Sequence, residues 1–157
     1  MKTILPYTTR FVFGAGLLVA VVAGSPARAD SCDDLARQLA SNVDGLKVGK
    51  AAGGAIYMTH PLAKQVTLGC PARNMQASFA AVSEKRKPSP EFLSFVASAA
   101  TLVFTIPKSD MDRGVKRCAG RMGLLRGDTI ATRYRRLDIR CTRTRTNATI
   151  AVSREKD

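Results

Sequence analysis

The chain has little of what enzymes commonly use for catalysis. It contains one histidine, His60, and 12 acidic residues against 25 lysines and arginines. A Ser-His or Cys-His system needs a histidine beside a nucleophile and an orienting acid. His60 instead lies in a His-Pro sequence that is typical of a turn. The sequence also lacks the G-x-S-x-G, H-E-x-x-H and phosphate-loop motifs. We therefore expect no enzymatic activity and no cofactor. One enzymatic alternative stays open, ranked below the two binding hypotheses given later. It is a hydrolase whose catalytic carboxylates come from residues distant in sequence, such as Glu84 and Glu91.

The four cysteines are not grouped in close pairs. Successive cysteines among Cys32, Cys70, Cys118 and Cys141 are 38, 48 and 23 residues apart, whereas zinc sites use spacings such as C-x-x-C. We therefore expect no metal site. An even number of cysteines in an oxidising compartment predicts two disulfides, for which three connectivities exist. Pairing of near neighbours within each half of the chain favours Cys32–Cys70 and Cys118–Cys141.

The sequence also lacks an apolar run long enough to span a membrane, for which a helix needs about 20 apolar residues. The run Phe11–Gly24 has 14 residues. It follows Lys2 and Arg10 and precedes the small-x-small triplet that ends at Ala29, which is the pattern of a secretory signal peptide. We predict cleavage after Ala29.

Cleavage leaves residues 30–157, which are enough for one domain with a single core. The predicted signal peptide takes three basic residues with it, so the formal charge falls from +13 to +10. The apolar stretch 91–106 is short and is bracketed by prolines. We therefore expect an exported protein, periplasmic or extracellular, with no membrane span after cleavage.

The spacing of apolar residues predicts an α+β fold. In the first predicted helix Leu35, Leu39 and Val43 recur every four residues, and Val66 and Leu68 alternate with polar residues as in a half-buried strand. Glycines 45, 49, 53 and 54 predict a loop between these two elements. The predicted elements are a helix at 32–43, strands at 55–59, 64–70 and 75–82, helices at 91–105 and from 109, and strands at 129–136, 137–144 and 149–153.

The predicted order is α-β-β-β-α-α-β-β(-β). Runs of strands and runs of helices favour a small antiparallel sheet packed by helices, here stapled by disulfides. The order resembles that of small chaperone-like domains that serve type III secretion, in the order of elements alone and with no shared motif.

The helix at 91–105 is apolar except for a thin polar stripe. Its polar residues are Glu91, Ser94, Ser98, Thr101 and Thr105. Such a helix is usually buried over most of its circumference, which predicts a core helix. The alternative is a chaperone-like or interaction module that offers this apolar surface to a partner.

Basic residues are concentrated in the segment 113–145, which holds eleven of them against Asp128 and Asp138. Ten of the eleven are arginines, and arginine suits bidentate binding of carboxylate or phosphate. If the predicted strands extend through these residues, the side chains of residues 133 and 135 share one strand face, and those of 143 and 145 share another. The candidate binding residues are Arg133, Arg135, Arg136, Arg140, Arg143 and Arg145.

Two interpretations of these arginines are open. They either keep exposed strands soluble and block edge pairing, or they bind an anionic envelope component or an acidic protein. Nucleic acid is not expected as a partner, because the compartment holds little of it and Tyr134 is the one aromatic residue nearby. The leading hypothesis is a small exported protein that binds an acidic partner through an arginine-rich sheet face.

Overall fold

The computed structural model describes residues 27–71, 76–123 and 127–154. In these ranges three helices pack on one face of a seven-stranded antiparallel sheet, which confirms the predicted α+β class. Almost all of the predicted signal peptide lies outside the described residues. Only its last three positions are included, and they begin the first helix.

The elements follow the predicted order with one additional strand. The helices are α1 (Ala27–Asn42), α2 (Pro90–Phe104) and α3 (Lys108–Arg121). The strands are β1 (Lys47–Ala52), β2 (Ala55–His60), β3 (Ala63–Gly69), β4 (Ser78–Ser83), β5 (Thr129–Tyr134), β6 (Leu137–Arg143) and β7 (Ala148–Arg154). Within the described ranges no helix is long and apolar enough to cross a membrane.

The additional strand, β1, corrects the predicted loop. It pairs with β2 through a two-residue turn at Gly53 and Gly54, whose φ angles of 59° and 76° suit glycine. At Gly49 a Cβ would lie 2.7 Å from the Tyr57 carbonyl oxygen, so the close approach of β1 to β2 needs a glycine there. All of β1 is exposed at the sheet edge, and it therefore lacks the apolar alternation by which strands are recognised.

The sheet joins the two halves of the chain in its interior. Its strand order is β1-β2-β3-β4-β7-β6-β5, so two consecutive meanders meet where β4 pairs with β7. Phe79, Ala81, Ile150 and Val152 lie on the helix-covered face of this seam and are fully buried. Burying each large apolar side chain contributes about 1.5–3 kcal/mol to the free energy of unfolding. The seam is therefore the centre of the core.

Helix α2 covers the seam and is the predicted core helix. It begins after Ser89, whose hydroxyl accepts a hydrogen bond from the Phe92 N–H, and Pro90 occupies the first helical position. Seven of its fifteen residues are buried. In the predicted polar stripe, the Ser98 and Thr101 hydroxyls donate to carbonyls four residues earlier. These polar groups are thus satisfied within the helix.

Helix α3 lies over the C-terminal meander. It begins at Lys108 with Pro107 as N-cap residue, one residue before the predicted start. A Cβ on Gly114 would lie 2.7 Å from Ile139 Cδ1 and 3.2 Å from Tyr134 Cδ1. A larger residue at this position would force the Ile139 and Tyr134 side chains to move, so glycine suits the close packing of α3 on β5 and β6.

Both predicted disulfides are present, one in each half. Cys32 of α1 pairs with Cys70, which follows β3, and their Cα atoms are 5.7 Å apart. Cys118 of α3 pairs with Cys141 of β6, with Cα atoms 6.0 Å apart. Each bridge ties a helix to the sheet of its own half, and neither crosses the seam. The bridges are consistent with an oxidising compartment.

We expect that the folded, oxidised protein shows no free thiol when it is alkylated under denaturing conditions. Peptide mapping should give the 32–70 and 118–141 linkages. Replacing Cys118 and Cys141 together by alanine should lower the free energy of unfolding by about 3–4 kcal/mol, because the closed loop restricts the unfolded chain. Reduced protein, with four alkylated cysteines, is the control. Four alkylated cysteines without reductant would contradict the assignment.

Candidate functional site

The β5–β6 hairpin carries most of the predicted arginine site, and its tip differs from the prediction. Strand β5 ends at Tyr134, two residues before the predicted end. Arg135 and Arg136 form the turn, with φ angles of 52° and 61° in the left-handed region. Such two-residue turns usually contain Asn-Gly, because residues with a Cβ are disfavoured at positive φ. Arg135 therefore does not share a strand face with Arg133, contrary to the prediction.

The structure places the six predicted arginines in different environments: on the open face of the sheet, on its helix-covered face and in two turns. Arg133 and Arg140 lie on the open face of the sheet, which the helices do not cover. Arg143 alternates with Cys141 and Ile139 and so lies on the helix-covered face, where it is half-buried. The others lie in turns: Arg135 and Arg136 between β5 and β6, and Arg145 between β6 and β7. The predicted pairing of Arg143 with Arg145 on one strand face is therefore also wrong.

A buried carboxylate fixes the hairpin tip to α3. Asp110, in the first turn of α3, has only 11% of its side chain exposed. Its Oδ1 accepts hydrogen bonds from the Tyr134 hydroxyl at 3.3 Å and from Arg113 Nη2 at 2.6 Å. The Arg135 Nε lies 3.5 Å from its Oδ2. These contacts offset the cost of burying the charge and hold Arg135 in the turn.

Acidic neighbours divide the arginines into paired and unpaired groups. Arg133 Nε lies 3.5 Å from Asp138 Oδ1 across the hairpin, and Arg135 pairs with Asp110. Of the six predicted arginines, the other exposed ones make no ion pair with any residue that the structure describes. They are Arg136, Arg140 and Arg145. Their positive charge is therefore available to a partner.

A basic cavity of about 510 Å³ lies on the helix-covered side of the sheet, opposite to the open face that carries Arg133 and Arg140. It is bounded by the loop 84–89, the first turn of α2, the second half of α3 and the end of β6. Four of its lining side chains are cationic, and none is acidic. They are Arg86, Lys87, Lys116 and Arg143. Of the six predicted arginines only Arg143 reaches this cavity, because the others lie on the open face or in the turns.

A second cavity, of about 670 Å³, contains His60 together with Asp44 and Glu91. Such an arrangement would favour the hydrolase alternative if the imidazole were free. However, His60 Nδ1 accepts a hydrogen bond from the Leu62 N–H at 3.1 Å, so it carries no proton. Its Nε2–H is then the donor to the Asp44 carbonyl oxygen at 3.0 Å. Both ring nitrogens are occupied by backbone groups, which leaves neither for a substrate.

The ring of His60 also packs against the edge of the hydrophobic core. It stacks on the ring of Phe95 with a centroid distance of 3.8 Å and an interplanar angle of 10°. Burial lowers the pKa of His60 below its ordinary value of 6.5, against the opposing effect of the hydrogen bond to Asp44. The neutral imidazole thus connects α2, the β2–β3 turn and the loop after α1.

Glu91 does not have the properties of a general acid. Its own backbone N–H and the Ser89 hydroxyl stabilise the carboxylate and lower its pKa. A catalytic acid needs a raised pKa in order to hold its proton near neutral pH. Within the described ranges no group of three or more His, Cys, Asp or Glu side chains could hold a metal ion.

Comparisons of the chain with protein-family models, with curated proteins and with solved structures found no match. The candidate site is therefore defined by its residues alone. It consists of Arg136, Arg140 and Arg145, which are exposed and make no ion pair in the described part of the chain, and of the basic cavity that Arg143 lines.

We expect Asp110→Asn to lower the free energy of unfolding by about 1–3 kcal/mol, because hydrogen bonds to a charged group are lost in a nearly buried site. Asp112→Asn is the matched control on the same helix, since Asp112 pairs with the exposed Lys116. That exposed pair should contribute less than about 1 kcal/mol. Urea denaturation measures both variants, and equal losses would show that Asp110 does not fix the hairpin.

The folded state should lose stability as the pH falls below 6.5. The lowered pKa of His60 means that the unfolded chain binds the proton more tightly, so protonation favours unfolding. This contribution is complete above pH 6.5 and is lost as the pH falls through the lower pKa of the folded state. Thermal unfolding between pH 7.5 and 5 measures it, with His60→Phe as the stacking but non-titrating control. An NMR titration midpoint at or above 6.5 would contradict the assignment.

Proposed function

We propose that the protein is exported and binds an acidic component of the cell envelope, or an acidic protein, through its arginine-rich C-terminal half. The observation that carries the proposal is the exposure of Arg136, Arg140 and Arg145 without an ion pair in the described part of the chain. The protein acts by binding and catalyses no reaction.

Export rests on two features that agree. The first 29 residues have the pattern of a signal peptide. The two disulfides are consistent with an oxidising compartment. We infer a periplasmic or extracellular location from this combination.

The placement of the arginines suits contact with an extended acidic surface. Arg136 lies at one end of the β5–β6 hairpin and Arg145 lies at the other end of β6, while Arg140 is exposed between them on the open face. Arg140 pairs across the sheet with Ala131 and Ala151, whose small side chains leave its guanidinium accessible. A guanidinium can bind carboxylate or phosphate with two parallel hydrogen bonds.

Nucleic acid is a less suitable partner than an acidic protein or an anionic envelope component. Recognition of single-stranded RNA depends on aromatic rings that stack on bases. The ring of Tyr134 packs close to Gly114, and its hydroxyl is bound to Asp110, so it is not presented for stacking. The predicted compartment also favours envelope partners.

The alternative module that uses an apolar helix surface has less support. The apolar residues of α2 are buried or half-buried against the sheet and the other helices. Among the described residues the exposed large hydrophobic side chains are Val48 and Leu62, and neither belongs to α2. The hydrolase alternative is weakened by the occupied nitrogens of His60.

We expect the mature protein to bind vesicles that contain anionic phospholipid, or to bind polyglutamate, with an affinity that falls steeply as salt is added. Replacing Arg136, Arg140 and Arg145 by glutamine should weaken vesicle binding about 100-fold, since each arginine near an anionic surface contributes about 1 kcal/mol. The measurements are vesicle sedimentation and fluorescence anisotropy.

The matched control removes the same charge from the N-terminal half of the sheet. Lys47, Lys50 and Lys64 are exposed on β1 and β3, so their triple glutamine variant should retain most of the binding. Binding that is indifferent to salt, or an equal loss in both triple variants, would refute the arginine-specific proposal.

A further inference from the structure

The basic cavity has walls of two chemical kinds. One part is cationic, as described above. The other part is apolar and consists of Pro88, Leu93, Ala119 and Met122. Its volume of about 510 Å³ falls within the range of cavities that hold small organic ligands. A ligand that matches both parts needs a negatively charged group and an apolar body.

Two neighbouring carboxylates neutralise part of the positive charge. Asp128 Oδ1 lies 3.3 Å from Arg86 Nη2, and Asp112 pairs with Lys116 on α3. Neither aspartate belongs to the cavity lining. Lys87 and Arg143 make no ion pair within the described ranges, so the cavity keeps an excess of two positive charges.

Arg143 is held at the cavity by the backbone. Its Nη2 donates a hydrogen bond to the Met122 carbonyl oxygen at 3.2 Å. Its Nε atom is buried and has no hydrogen-bond partner in the described part of the chain. Because Nε is buried, a ligand in the cavity would bind the terminal nitrogens of this guanidinium, which the Met122 carbonyl oxygen already orients.

We infer that this cavity binds a small amphiphilic anion, in which a carboxylate or phosphate group is attached to a short alkyl or aryl body. The anionic group contacts Arg143 and Lys87. The apolar body covers Leu93 and Pro88, which removes water from the half-buried apolar wall. An inorganic anion would satisfy the charge but leave the apolar wall in water. This site does not depend on export or on the exposed arginines.

The test is isothermal titration calorimetry of the mature protein with octyl phosphate and with octanoate, both below their micelle concentrations. We expect at least one of them to bind to a single site with a dissociation constant below about 1 mM. Inorganic phosphate, which lacks the body, and octyltrimethylammonium, which has the opposite charge, should each bind at least about tenfold more weakly. Comparing octyl phosphate with octanoate distinguishes a phosphate ester from a carboxylate as the preferred group.

Variants locate the site. Lys87→Gln should weaken binding about threefold, as for a partly exposed charge, and Arg143→Gln about tenfold, as for hydrogen bonds to a charged group. Lys85→Gln is the matched control in the same loop, because Lys85 is exposed and does not line the cavity. It should change the affinity by less than about twofold. If Arg143→Gln does not fold, Lys87→Gln and Leu93→Asn, which makes the apolar wall polar, still test the site.

The outcomes separate this inference from the proposed function. The triple variant at Arg136, Arg140 and Arg145 should bind octyl phosphate or octanoate with unchanged affinity, even though it loses the acidic partner. The inference is overturned if neither amphiphile binds at 10 mM, or if the octyl cation or inorganic phosphate binds as well as the amphiphilic anions. It is also overturned if Lys85→Gln has the same effect as Lys87→Gln.

Discussion

The pairing of β4 with β7 is the contact on which the rest of the structure depends. It connects a meander formed by the first half of the chain to one formed by the last, from Ser78 opposite Ser153 to Ser83 opposite Ala148. Because both disulfides lie within single halves, no covalent bridge crosses this seam. Helix α2 covers it, and the buried side chains beneath that helix supply the apolar contact that holds the halves together. A strand pairing between distant segments has a high entropic cost, which the buried core must offset.

Once the seam is formed, the C-terminal half separates its basic residues into distinct environments. Pairing of β6 with both neighbours sets its register, so Arg140 lies on the open face and Arg143 on the helix-covered face. Packing of α3 on the hairpin brings Asp110 to Tyr134 and Arg135, which neutralises charge at the tip. The same packing creates the cavity that Lys116 and Arg143 line. The basic segment therefore contributes to two different surfaces: an exposed one that carries Arg136, Arg140 and Arg145, and a concave one that Lys116 and Arg143 share with the loop 84–89 and α2.

Sequence patterns predicted elements well wherever one face of the element is buried. The alternation of Val66 and Leu68 and the apolar circumference of α2 reflect burial directly, and the structure confirms both. Strand β1 was missed because it is exposed throughout, although Gly53-Gly54 between two short runs is a recognisable hairpin signal. The predicted end of β5 was wrong because the turn there consists of two arginines, and Arg-Arg does not resemble the Asn-Gly sequences that usually form such turns. The basic cavity had no sequence signal, since its walls come from a loop, two helices and a strand.

The sequence by itself determined the α+β class and the core helix, because periodicity and apolar content are local properties. It favoured one of the three possible cysteine pairings, and the structure decided that pairing. The sequence also determined that the domain has a large positive net charge. Only the tertiary structure decided which arginines are neutralised, which are exposed and which line a cavity. It likewise engaged both nitrogens of His60 with backbone groups. The physical reason is that ion pairing, burial and hydrogen bonding depend on distances between atoms far apart in the chain, and those distances exist only after the sheet and its helices have packed.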